Sequence, residues 1–146
     1  MLRGLECLCD PEPFFETLPS TVDLTAYDWY IDDVELNYFY FRPGKYTGKD
    51  FLSSISDFSC LSFVRIRRFP SGTDEEFMKA EPMEKYEDFL NGACDLLILF
   101  YDGGFTEIYA KDENLTRRMM DVFGKAGVQK LEAKYDHNDG RTRMSF

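Results

Sequence analysis

The sequence predicts an α+β fold: a mostly antiparallel sheet, helices packed on one face, and a C-terminal part running hairpin–helix–hairpin. Three observations carry this. Leu96–Tyr101 is an unbroken apolar run of strand length, as in a strand buried on both faces, and Asp102-Gly103-Gly104 then supplies a tight turn into a return strand, Phe105–Ala110. Asp112 caps a segment in which Leu115, Met119, Val122, Phe123 and Ala126 recur at helical spacing, with Lys125 near its end and Gly127 as its stop. Two alternating segments, 128–135 and 141–146, surround Asp139-Gly140 as a last hairpin. Hairpins interrupted by amphipathic helices make an antiparallel α+β layer.

The earlier elements follow in order. Residues 2–8 read as a strand, and Asp10-Pro11 as the cap and first turn of a helix to about Leu18. Residues 27–31 and 34–41 read as two strands joined by a tight acidic turn at Asp32-Asp33. Thr47 caps a helix over about 48–56, with Phe51, Leu52 and Ile55 on one face. Residues 60–69 return to strand, and Pro70-Ser71-Gly72 is a turn before a polar segment with no clear period. Pro82 opens a helix that carries Met83, Tyr86, Phe89 and Leu90 on one side and stops at Gly92.

The chain of 146 residues fits one domain, which at this size buries roughly 68–70% of its unfolded-chain surface. Hydrophobic residues make up 44%, more than a disordered chain carries, so order is expected throughout. No apolar run approaches the ~20 residues that cross a bilayer, and MLRGLECLCD is not a signal peptide; a cytoplasmic protein is expected. The net charge is −10, with −7 in residues 1–64 and −3 in residues 65–146. Such a field repels nucleic acid and anionic membranes and attracts a basic protein partner. It also keeps a small protein soluble, with no partner involved.

Motifs of catalysis and metal binding are missing or broken. Gly44–Asp50, GKYTGKD, has three residues between its glycines where a phosphate loop needs four, and Asp50 stands where the magnesium hydroxyl belongs. Asp136–Gly140, DHNDG, reaches its glycine one position too early for a calcium loop and reads as a turn. His137, the one histidine, falls in that turn. Cys7, Cys9, Cys60 and Cys94 lack the knuckle spacing of a zinc site and read as buried, reduced thiols. No catalytic residue, metal site or cofactor is expected, and nothing in the sequence argues for an enzyme.

Two sets of candidate binding residues remain. The stretch YDWYIDDVELNYFYF concentrates aromatic rings and acids; by alternation its stripe is a buried hairpin, so a contact would come from Tyr30 and the tip of Asp32, Asp33 and Glu35. The last hairpin would carry Lys130, Lys134, Arg141 and Arg143 on one face, and Arg65 and Arg67 share a face of their own strand. That basic face is either a solvated surface balancing nearby acids or an anion or partner contact, since arginine forks onto carboxylate and phosphate.

With the segments placed, the chain resembles a family of small uncharacterised bacterial proteins classed as a domain of unknown function. Asp28-Trp29-Tyr30-Ile31, Tyr86-Glu87-Asp88-Phe89-Leu90, Ile108-Tyr109 before Lys111-Asp112, and Arg141–Ser145 carry the resemblance. It implies no activity, so no functional residue is transferred by it. The leading expectation is a non-enzymatic, acidic protein-binding domain, with an immunity-type inhibitor of a basic partner as a special case. The alternative is a small-molecule-binding protein or an enzyme of unrecognised type, with a pocket between helices and sheet. The oligomeric state is monomer or homodimer, the latter through the strand that ends at Phe146.

Overall fold

The computed structural model describes residues 1–36, 42–55, 61–102 and 104–146, and within them every side chain except those of residues 34–36, 61 and 62. Among the described residues seven strands, β1 (Leu2–Leu8), β2 (Tyr27–Leu36), β3 (Gly44–Tyr46), β4 (Leu61–Pro70), β5 (Leu96–Tyr101), β6 (Phe105–Ala110) and β7 (Gln129–Tyr135), form one sheet in the order β3-β2-β4-β5-β6-β1-β7. Every pairing is antiparallel. The α-helices among the described residues are α1 (Pro11–Thr17), α2 (Gly48–Ser54), α3 (Glu75–Ala80), α4 (Tyr86–Asn91) and α5 (Glu113–Lys125). None is long and apolar enough to cross a membrane.

Helices cover both faces of the sheet, which corrects the expectation of one. On the first face, Trp29, Ile31, Val64, Ile66, Ile98 and Ile108 meet Phe14 and Phe15 of α1, Phe51 of α2 and Leu115, Met119 and Phe123 of α5. Phe14 stacks on Phe123 at 5.3 Å and Trp29 on Phe51 at 4.3 Å, while the Trp29 indole N–H donates to the Leu24 carbonyl at 2.9 Å. On the second face, Tyr30, Phe69, Leu97, Leu99 and Tyr109 meet Met78 of α3 and Tyr86 and Phe89 of α4. The cause is β5 itself. Its residues 96–100 are fully buried, so Leu97 and Leu99 need cover as much as Leu96, Ile98 and Phe100 do. Each such side chain contributes roughly 1.5–3 kcal/mol by leaving water.

Three further expectations are corrected. There is no turn at Asp32-Asp33: β2 continues, and Asp33 takes φ 48° where the register against β4 shifts. This is a bulge, and the ladder to β4 prevails over the local turn preference of two acids. Residues 37–41 of the expected second strand lie outside the described residues. The helix expected from Pro82 begins at Tyr86, because the Asp88 carboxylate reaches back to accept from the Glu84 and Lys85 N–H groups, each at 3.0 Å. The polar segment without a period contains α3, capped by Asp74 on the Glu76 N–H at 3.2 Å.

The last hairpin is not formed. Among the described residues β7 pairs only with β1, and residues 140–146 cross the second face as an irregular tail. Met144 anchors the tail: it is fully buried, its N–H donates to the Glu84 carbonyl at 3.0 Å, and its own carbonyl accepts from Arg65 Nη1 at 3.3 Å. Burying Met144 among Tyr86, Leu99 and Tyr109 holds the tail on the sheet face instead of its edge. The expected route to a homodimer, through a terminal strand, loses its strand.

Candidate functional site

The acidic tip and the arginine pair, expected as separate surfaces, face each other across β2 and β4. Tyr30 is opposite Arg67, and Asp32 is opposite Arg65. Arg65 forks onto Asp32, with Nε at 2.7 Å from Oδ1 and Nη2 at 2.5 Å from Oδ2. Arg67 reaches the same carboxylate at 3.4 Å, lies 5.1 Å from the Tyr30 ring centre, and keeps a buried Nε with no partner among the described residues. Burial first, and Arg65 second, lower the Arg67 pKa. Tyr30 is only 8% exposed, and Asp33 accepts from the Phe146 N–H at 3.1 Å. So these groups are held by the fold and by one another. The Glu35 side chain lies outside the described ones.

The four basic residues of the C-terminal segment come together elsewhere, on the half of the second face formed by β6, β1 and β7. One cavity of about 550 Å³ there is lined by Glu6, Tyr101, Glu107, Lys134, Arg141 and Arg143, among others. A second, of about 280 Å³, shares Glu6, Tyr101 and Glu107 and adds Lys130, Glu132 and Phe105. Together they form a polar trough. Three glutamates stand in one row across it, because Glu6 is paired with Glu107 on one side and with Glu132 on the other. Like charges side by side on a sheet repel. Lys134 relieves this: buried to 3% exposure, its ammonium contacts Glu107, Asp139 at 3.2 Å and Glu6 at 3.8 Å. Arg141 Nε holds the other Glu107 oxygen at 2.5 Å. Sequence alternation read Lys134 as a surface charge; its acidic partner on β6 is 27 positions away.

Asp139 closes the cluster from behind, with its side chain shielded from solvent. The Tyr109 hydroxyl donates to it at 3.0 Å, and burial followed by Glu107 and Asp139 pushes that hydroxyl far up in pKa, so it stays a donor. Burial alone would raise the Asp139 carboxyl. The Arg141 N–H, Lys134 and Tyr109 outweigh burial and hold it below the usual carboxylate range. A depressed folded-state pKa gives stability that is fully present above the unfolded value of about 4 and is lost as pH falls through the folded value. Urea midpoints taken from about pH 6 down to about pH 3 are therefore expected to fall less steeply in Asp139→Asn than in the parent. Parallel curves would refute this role.

A second surface went unread in the sequence. Phe77, Ala80, Pro82 and Gly92, with Glu81, Asp88 and Asn91, line a cavity of about 370 Å³ between α3 and α4. Glu81 helps to shape it by accepting from the backbone N–H groups of Ala93 and Cys94. Phe77 is 52% exposed and Leu90 41%. Residues 74–91 hold seven acids against two lysines. Large apolar side chains inside a strongly acidic segment were the available signal, hidden because α3 showed no period.

The thiols behave as the sequence suggested for those described. Cys7, Cys9 and Cys94 are free and buried, and Cys60 lies outside the described residues. Burial pushes the Cys7 and Cys94 thiols up to about 12, which makes them poor nucleophiles. His137 sits exposed in a turn, stacked on Tyr135 at 5.5 Å.

Fold and surfaces define a small antiparallel α+β protein with a polar trough on one half of a sheet face and an apolar, acid-rimmed cavity beside the other. The chain belongs to the family described as protein of unknown function (DUF2691), whose model matches residues 10–145. This bears out the resemblance carried by the strand and cap segments above. The chain is also similar to the uncharacterised protein YncE of Bacillus subtilis strain 168, 25% identical over 83 residues that cover 57% of this chain and 51% of that protein. The match thus spans about half the length of that relative. No solved structure matches the chain.

Proposed function

We propose that this protein is a non-catalytic binding domain that recognises a basic protein partner through the α3–α4 surface. One observation carries the reading: an apolar cavity of about 370 Å³, with the exposed Phe77 in its wall, opens within the segment that holds seven acids and two lysines. An apolar side chain of the partner would fill the cavity, and flanking lysine or arginine residues would meet Glu75, Glu76, Glu84 and Glu87, all exposed. The acids at Asp74, Glu81 and Asp88 are already engaged with backbone N–H groups. Inhibition of a basic partner is one form this recognition would take. The free, buried thiols support a reducing compartment such as the cytoplasm.

The test places a photoreactive phenylalanine analogue at position 77 of the full chain, identifies what it crosslinks in native lysate, and purifies that protein. Its affinity is then measured for the parent, Phe77→Ala and Glu76→Lys at low and high salt. The expected result is a basic partner, about tenfold weaker binding in Phe77→Ala, and a smaller salt dependence in Glu76→Lys. Equal affinity for all three proteins would sink the proposal.

A further inference from the structure

We infer that the trough over β6, β1 and β7 is a binding site for a zwitterionic α-amino acid with an apolar or aromatic side chain. The fold has already used some of the trough's charges. Glu107 has both oxygens occupied, one by Lys134 and one by Arg141. Lys134 is shared among Glu107, Asp139 and Glu6. These groups are buried or half-buried and set the floor.

Four exposed or half-exposed charges are left over on the walls. Arg143 and Lys130 are exposed and make no ion pair among the described residues. Arg143 is positioned by its own carbonyl, which accepts from Arg141 Nη1 at 3.0 Å. Lys130 takes φ 53°, at the register shift that separates β7 from regular pairing with β1. Against them stand Glu132, exposed and without a cation among the described residues, and Glu6, whose cation Lys134 lies 3.8 Å away and serves two other carboxylates. The row Glu6–Glu132 repels itself until a cation sits against it. An ammonium group placed there relieves that repulsion, and a carboxylate placed toward Arg143 completes its fork.

The third wall selects the side chain. Tyr101 and Phe105 stack at 5.7 Å with planes 19° apart, and Phe105 is 41% exposed. The pair offers a flat apolar surface beside the charged walls, and the Tyr101 ring is held by the Arg141 guanidinium 5.3 Å from its centre and by the Phe146 ring at 5.7 Å. The same charges reject the simpler ligand classes. A polyphosphate would meet Glu6 and Glu132, and a polyamine would meet Arg143 and Lys130. A molecule carrying one charge of each sign matches both walls: Arg143, Glu6 and Tyr101 line the cavity of about 550 Å³, and Glu132 and Phe105 line the adjoining one of about 280 Å³, which shares Glu6 and Tyr101 with it.

Calorimetric titration of the full chain tests this with L-phenylalanine, 3-phenylpropanoate and phenethylamine, which share a ring and differ only in their charged groups. L-phenylalanine is expected to bind, with each single-charge analogue at least about tenfold weaker. Arg143→Gln and Glu132→Gln, both at exposed positions, are expected to weaken L-phenylalanine about tenfold without lowering the thermal midpoint, and Glu132→Gln to raise it slightly by easing the repulsion with Glu6. Phe105→Ala should weaken L-phenylalanine more than glycine. No binding of L-phenylalanine, equal binding of all three probes, or unchanged affinity in both charge variants would overturn the inference. The α3–α4 reading stands or falls separately, since its variants lie on other elements.

Discussion

Gly4→Ala is expected to destabilise the protein by more than about 4 kcal/mol, the range reserved for severe steric or core lesions. Gly4 sits mid-strand in β1, flanked on both sides by β6 and β7. A β-carbon there would lie 1.8 Å from the Ile108 carbonyl oxygen and 2.8 Å from its carbon. Both are backbone atoms of the neighbouring strand, so no side-chain rotation relieves the clash. The strands would have to separate, breaking the ladder that holds β1 between β6 and β7. Gly4 also stands beside a register shift of β1 against β7, between Leu2 and Gly4. The same irregularity lets Arg3 reach the second face, where its guanidinium lies 4.0 Å from the Tyr86 ring centre and bonds Asp136 and Asp139. Urea denaturation provides the measurement. Gly72→Ala, with no atom within 4 Å but φ 86°, is the control and is expected to cost only about 1 kcal/mol of left-handed strain. A Gly4→Ala midpoint close to that control would contradict the steric account.

Legibility followed the range of the interactions. β5 was readable because an apolar run of strand length bounded by a turn needs no knowledge of partners. Helix α5 was readable because its cap is local: Asp112 accepts from the Asn114 N–H, two residues on, at 2.9 Å. Asp32-Asp33 misled for the converse reason. Two adjacent acids favour a turn locally, but Arg65, 33 positions on, holds Asp32 in the extended ladder. The tail misled in the same way, since Thr142, Met144 and Phe146 alternate like a strand while Met144 alone is buried. For the site, alternation did put Lys130 and Lys134 on one face with Glu132, and the tail brought Arg141 and Arg143 to the same trough. The glutamate row was beyond reach, because it needs β1 placed between β6 and β7, a fact of topology that no local pattern encodes.

The Asp32 cluster gives the second large effect. Asp32→Ala is expected to cost about 3 kcal/mol, the lower end for breaking a buried ion pair, because this carboxylate retains 24% side-chain exposure. The loss comes from what remains. Among the described residues, Arg65 would keep two carbonyls and Asp33 at 4.0 Å, but Arg67 would keep only the Glu81 carbonyl at 3.5 Å and two aromatic rings. Arg67 is 1% exposed and already has an unpartnered Nε, so its charge would stand buried and uncompensated. Arg67→Met tests this reasoning because methionine fills the space between Tyr30 and Phe69 without a charge. Alone it is expected to lie within about 1 kcal/mol of the parent, since exchanging a poorly paired buried ion for an apolar group is often neutral or better. Combined with Asp32→Ala it is expected to recover at least about 1 kcal/mol of the single-variant loss, a coupling that urea denaturation resolves in a double-mutant cycle. Strict additivity would mean that Arg67 does not depend on Asp32. Coupling with a neutral Arg67→Met would mean that Arg67 is tolerated by the fold and not needed for its stability.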